Sequence, residues 1–334
     1  MNIHAKHSTR RWGAATLALC IAALLVGIVQ AEPKTKPPRV GVLSFDEANC
    51  RRKPFIEGLH ELGYIEGRNI VIECQHAGGD YGGFQRAADA LARGKPALIV
   101  AFGNPAAKAA QRATTDIPIV MLGSGEPVES GFAASLSRPG GNLTGISYYT
   151  IELNAKRLEF LRSVVPRLRR VAVLVDPGSP AETTQAFLRD IRKAAAALGL
   201  EIIAVESKGA VDLDRAFDEI EQAKAQAVLM SSYIVFMRDA QELADATKWR
   251  RLPSIHAFTH YSALGGLMGY GPDFWLLQRR AAVYVDKILK GASPAELPIE
   301  QPTRFELSIN LQTARELGLK IPQTLLMRAD KVIE

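Results

Sequence analysis

Short apolar runs, each closed by Gly, Asn, Asp or Ser, alternate along this chain with longer stretches whose apolar residues recur every three or four positions. The short runs read as buried strands and the longer stretches as amphipathic helices. Strands are predicted at 39–44 (RVGVLS), 69–74, 97–102, 117–122, 143–147, 171–176, 201–206, 227–232, 254–258 and 265–270. Helices are predicted at 54–63, 82–94, 104–114, 151–165, 180–198, 212–225, in a stretch ending near Arg250, and at 273–290. Strands alternating with helices form parallel sheets covered on both faces. The succession runs twice, which predicts an α/β protein of two doubly wound lobes. The tail breaks the rhythm with a long helix, PIEQPTRFELSIN and a short closing helix, and is expected to cross back between the lobes.

The length of 334 residues suits two domains, and 47% hydrophobic with 23% charged residues is a globular composition. Residues 1–31 stand apart from the fold. Lys6, Arg10 and Arg11 precede an apolar core from Gly13 to Val29, and Val29-Gln30-Ala31 places small residues where a signal peptidase cuts. A twin-arginine signal fits less well because Gly13 and Ala14 stand where bulky residues belong. A lipid anchor at Cys20 fits less well because Leu19 precedes it. A retained anchor helix is the remaining alternative. Residues 32–38 read as a linker. The three leader cations account for half of the net charge of +6, and no Lys/Arg cluster suggests nucleic acid.

Doubly wound sheets bind ligands beyond the C-terminal ends of their strands. Those ends supply the candidate site: Ser44, Phe45, Gly103, Asn104, Pro105, Gly125, Glu126, Tyr148, Asp176, Ser179, Ser231, Tyr233, His256, Phe258 and Tyr270. Asn104 reads as an N-cap with Pro105 at the first helical position, leaving the N–H groups of Ala106 and Ala107 for an anionic group. Ser179, Pro180 and Glu182 read as a capping box in the second lobe. Two sheets with helix ends facing one gap describe a clamp, in which Asp176 or Glu126 would take an amine and the Asn104 helix end a carboxylate.

Little in this gap calls for catalysis. The phosphate-loop, dinucleotide and nucleophile-elbow patterns are missing from the sequence. His256 and His260 are four apart, but IHAFTH reads as strand and turn, so the helical metal-site geometry is lost and no metal or cofactor is expected. Glu126 and Asp176 form a carboxylate pair of the kind glycosidases use only if they meet across the gap.

The strings GLHELGYIEGRNIVIE, IPIVMLGSGEPVESGFAASLSRPGGNLTGIS and YVDKILKGASPAELPIEQPTRFELSINLQTARELGL resemble the ABC-importer substrate-binding family that includes tryptophan- and other aromatic-amino-acid-binding lipoproteins. The resemblance spans residues 39–334. It implies a non-enzymatic, monomeric periplasmic protein of the type I periplasmic binding fold, with three crossovers joining lobes 39–147 plus 271–304 and 148–270 plus 305–334. Its partners would be a small-molecule solute and a membrane permease with its ATPase. Family-like positions here are Gly103-Asn104-Pro105, Gly125-Glu126-Pro127, Asp176-Pro177 and Gly265–Tyr270. The chain departs from the pattern in the loop from Asp46 to Pro54, which carries Cys50 and three basic residues, and at Glu126, His256 and His260, so the ligand is not inherited. A secreted doubly wound enzyme and a ligand-sensing ectodomain are the alternatives, separable by substrate turnover and by a signalling partner.

Export leaves Cys50 and Cys74, an even number in an oxidising compartment. Cys74 is predicted to end the second strand and Cys50 to follow the first, on one sheet edge, so a disulfide between them is expected. The leader generates the first prediction: N-terminal sequencing of the exported protein should begin at Glu32, and a chain beginning at Met1 would defeat cleavage.

Overall fold

The computed structural model describes residues 36–125, 127–148 and 151–334, without the side chains at 124, 151, 152 and 182. The expected leader, most of the linker, Glu126 and the Glu182 side chain lie outside the described residues. The first sheet holds β1 (Arg39–Ser44), β2 (Val71–His76), β3 (Leu98–Phe102), β4 (Ile119–Gly125) and β5 (Leu143–Tyr148), in the order β2-β1-β3-β4-β5. The second holds β6 (Arg170–Val175), β7 (Glu201–Glu206), β8 (Ala227–Met230), β9 (Ser254–His256), β10 (Met268–Pro272), β11 (Phe305–Asn310) and β12 (Lys331–Ile333), in the order β12-β11-β10-β9-β8-β6-β7. All pairs are parallel except β10–β11. The core of the second sheet, β7-β6-β8-β9-β10, thus repeats the strand order of the first.

The helices are α1 (Lys53–Glu61), α2 (Gly83–Gly94), α3 (Asn104–Ala113), α4 (Ile151–Val164), α5 (Ala181–Ala197), α6 (Leu213–Gln222), α7 (Ile234–Arg238), α8 (Ala240–Trp249), α9 (His260–Ala263), α10 (Phe274–Leu289), α11 (Leu311–Glu316) and α12 (Gln323–Leu326). They cover the sheets through one apolar face, as in α2, where Phe84, Ala87, Ala88 and Leu91 are buried.

The chain passes between the sheets three times. It leaves β5 for α4, which packs on the second sheet. It leaves β10 for α10, which returns to lie against α1. Gly58 permits that approach, because a Cβ there would sit 2.8 Å from the Arg279 carbonyl oxygen. Glu300 then bridges to β5, donating its N–H to Gly145 at 2.9 Å and accepting from Ser147 at 2.9 Å, before β11 rejoins the second sheet. At this seam Phe258, just past β9, packs 5.9 Å from Tyr148 and 5.2 Å from Phe274. Phe258 therefore belongs to the same apolar cluster as Val40, Val100 and Val120 of the first sheet.

Several expectations change. The helix expected to run to Arg250 divides at Asp239, whose carboxylate accepts the Ala210 N–H at 2.7 Å and pairs with Arg238. β12 escaped the pattern because its three residues carry no buried face. β2 continues two residues beyond Cys74, which lies opposite Val42 inside the strand and not at its end. Cys50 and Cys74 are free thiols, so the expected disulfide does not form. The neighbouring Cys74 and the Ser44 hydroxyl, 3.2 Å from the Cys50 sulfur, hold the Cys50 thiol below its ordinary pKa.

His256 belongs to the core and not to the gap. It is fully buried; its Nδ1 accepts the Phe258 N–H at 3.1 Å and its Nε2 lies 3.2 Å from the Phe236 carbonyl oxygen, which fixes the neutral Nε2–H tautomer. Burial holds it well below its ordinary pKa, and burial together with nearby Arg52 pushes His260 down to about 4. An unfolded imidazole titrates near 6.5, so between those values the unfolded chain binds more protons and stability falls as pH drops. Urea denaturation at pH 7 and pH 4.5 should show that His260→Gln removes about 2 kcal/mol of that decline. Equal declines in both proteins would remove His260 from the acid response.

Candidate functional site

Each sheet reverses its strand order at its first strand: β1 lies between β2 and β3, and β6 between β7 and β8. Connections leave such a point toward opposite faces and open a crevice at the C-terminal edge. A small cavity of about 30 Å3 lies there. From the first lobe it takes Phe45 after β1, Phe102 and Gly103 at the end of β3, Leu122 and Gly123 of β4, and Tyr148 of β5. From the second lobe it takes Ser232 after β8 and Ile234 and Met237 of α7, and Phe274 closes it at the head of α10.

Two glycines shape this wall. Gly103 has φ +87 and caps α3; a Cβ there would meet the Ile234 side chain of the other lobe at 3.1 Å. Gly123 has φ +81, and the Tyr148 ring lies on its backbone so closely that a Cβ would stand 2.3 Å from the ring. Larger residues at these points would push the lobes apart or displace Tyr148.

The loop between β1 and α1 contributes Asn49 and Arg52 to the cavity. The Arg52 guanidinium lies 5.5 Å from the Phe102 ring centre and 5.1 Å from that of Phe274. Its Nε is buried without a hydrogen-bond partner, and burial lowers its pKa. The nearest carboxylate acting on it is Asp46, which already accepts from the Asn49 N–H at 2.9 Å and its amide at 2.6 Å.

Of the residues expected from sequence, Phe45, Gly103 and Tyr148 line this cavity. Asn104 does not cap α3. It is the first helical residue, and its side chain clasps the end of β4, accepting the Gly125 N–H at 2.9 Å and donating to the Gly125 carbonyl at 3.3 Å. Pro105 is the second helical residue, and the Ala107 N–H already bonds the Gly103 carbonyl at 3.0 Å. The expected anion site at this helix end is thus partly occupied by the backbone. Ser44 donates to the Asp46 carbonyl at 2.7 Å and so shapes the loop that carries Arg52.

In the second lobe, Asp176 is 2% exposed. Its Oδ1 accepts the Gly178 N–H at 2.9 Å, its Oδ2 has no partner, and burial raises its pKa. It faces Tyr81 of the first lobe. The Ser179 N–H bonds the Asp176 carbonyl at 3.1 Å; Pro180 and not Ser179 occupies the cap of α5, so the expected capping box does not form. The Ser231 hydroxyl is buried and unpartnered. Tyr233 caps α7 and shares a 3.0 Å hydrogen bond with Thr184 of α5. Tyr270 turns away from the gap to stack edge-on to Phe160 of α4 at 5.0 Å. His256 and Phe258 are packed into the core and seam described above.

Ser232 falls within the strand end expected at 231–233, whereas sequence reasoning missed Arg52, Asn49, Phe102, Leu122, Ile234, Met237 and Phe274. The signal for Arg52 was present in the unusual Asp46–Pro54 loop. Phe102 and Leu122 looked like ordinary strand residues, and Phe274 like a helix start.

The profile of the family described as ABC transporter substrate binding protein matches residues 40–333. A tyrosine-binding protein of Clostridioides difficile (strain R20291) is 27% identical over 279 residues, covering 83% of this chain and 78% of that protein. A conserved domain protein of Vibrio cholerae superposes with a TM-score of 0.81 at 25% identity, over 89% of this chain and all of the other. The ABC domain of Streptococcus pneumonia in complex with L-Trp superposes with a TM-score of 0.79 at 23% identity, over 89% of this chain and all of the other. With twin sheets in the same strand order, a cavity walled by both, and a profile match across nearly the whole folded chain, this protein belongs to the ABC transporter substrate-binding family.

Proposed function

We propose that the chain is exported and holds one small organic solute between two lobes, each built on one sheet, with the expected boundaries at 147/148 and 270/271 moved to the ends of β5 (Tyr148) and β10 (Pro272). The observation that carries this reading is the shared wall: Phe45 and Gly103 approach the cavity from one lobe, Ser232 and Ile234 from the other. A solute there touches both lobes, so it favours the closed arrangement by its differential affinity for it. The closed form then presents the solute to the membrane components of an ABC importer. The three crossovers act as the hinge, with the Phe258–Tyr148–Phe274 contacts at their seam.

The protein works as a monomer outside the cytoplasmic membrane, without a cofactor and without turning over its solute. Aromatic walls at Phe45, Phe102, Tyr148 and Phe274 suit a ligand with a flat apolar body. The tyrosine-binding relative and the L-Trp complex support an aromatic, amino-acid-like solute. Asp176, buried and half-satisfied where the lobes meet, remains the second lobe's candidate for a ligand amine or for contact with Tyr81.

A thermal-shift screen over amino acids, aromatic acids, sugars and nucleosides tests the reading. A cognate solute at 100-fold its dissociation constant should add about 2.7 kcal/mol of stability. Gly123→Ala should weaken its binding, since the new methyl displaces Tyr148 from the cavity wall. Stabilisation by no solute, or consumption of a solute during the assay, would overturn the proposal.

A further inference from the structure

Arg52 is the most unusual group in the cavity. Buried charges in proteins are ordinarily paired and hydrogen-bonded. Arg157, fully buried, follows that rule: its Nε donates to the Tyr270 carbonyl at 2.9 Å and its Nη1 to Asn154 at 2.7 Å. Arg52 instead keeps a buried Nε with no partner, between rings that attract its charge but take no in-plane hydrogen bond. Its neighbour Asp46 spends Oδ1 on Asn49 and makes no ion pair with Arg52, acting on it only through its charge. Arg52 lines the cavity, so its guanidinium is within reach of a solute held there.

Resting on the solute-binding reading above, we infer that Arg52 receives a carboxylate on the solute, and that the solute is a monoanion at this end with an apolar body. A carboxylate matches the planar guanidinium fork with two parallel hydrogen bonds. Phosphate fits poorly, because a dianion would meet a single cation among the apolar side chains of Phe45, Leu122, Ile234 and Met237. His260 near Arg52 adds no second charge at neutral pH. The Asn49 amide and the Tyr148 and Ser232 hydroxyls are the polar groups left to orient the rest of the solute. The anion receptor thus lies on the β1–α1 loop and not at the start of α3.

Calorimetry with matched pairs tests this. Each carboxylic acid in a panel of aryl-alkanoic, alkanoic and α-amino acids is compared with its primary amide, on the wild type and on Arg52→Gln. Acids should bind the wild type about 10- to 100-fold more tightly than their amides, the range of a charge-assisted hydrogen bond. Arg52→Gln should erase that preference, weakening the acids far more than their amides. Arg52→Lys, which keeps the charge but loses the fork, should fall between. Equal binding of acid and amide by the wild type overturns the assignment even if Arg52→Gln fails to fold, as does an acid preference that survives Arg52→Gln. Tight binding of a neutral sugar or nucleoside, insensitive to Arg52→Gln, overturns the carboxylate and leaves the clamp standing. A wild type that binds nothing in the wider screen overturns both.

Discussion

The contact of Phe258 with Tyr148 and Phe274 is the point on which the arrangement depends. It joins a residue just past β9 to the last residue of β5 and the first residue of α10, the latter two each beside a passage of the chain between sheets. Phe258 comes from the second sheet yet packs with the apolar residues of the first. Aromatic rings hold such contacts through large buried areas and favoured edge-to-face geometry. With this corner fixed, the C-terminal edges of the two sheets must face each other, and the two points of strand-order reversal meet across one gap.

Around that gap, the polar groups of the first lobe serve mainly to make its wall firm. Asn104 ties the start of α3 to the end of β4, and Ser44 folds the chain after β1. In the second lobe, Tyr233 ties α7 to α5, and His256 ties the end of β9 to the end of α7. Side chains that looked like ligand groups turn out to brace the loops on which ligand groups stand. The wall that results is mostly ring, aliphatic side chain and glycine, with one guanidinium set into it.

The fold was legible in the sequence because buried parallel strands write themselves as unbroken apolar runs, and amphipathic helices as periodic ones. Elements without a buried face were not: β12 is short and largely exposed, and the division of the helix at Asp239 follows from a contact with Ala210, distant in sequence. The site was legible as a place and less so as a set of residues. Strand ends are visible in sequence, but the direction of a side chain beyond a strand end depends on the loop. Phe45 faces the cavity from the loop after β1, while Tyr270, expected at a strand's end, lies in the middle of β10 and packs on α4. Cys74 shows the same sensitivity, since two further residues of strand moved it from an edge to the middle of β2.

The unpaired Arg52 also bears on the empty protein. With the lobes in contact, its Nε is cut off from water and has nothing in exchange. Separation of the lobes would let water reach it. The same charge that attracts an anion therefore works against closure when no anion is present.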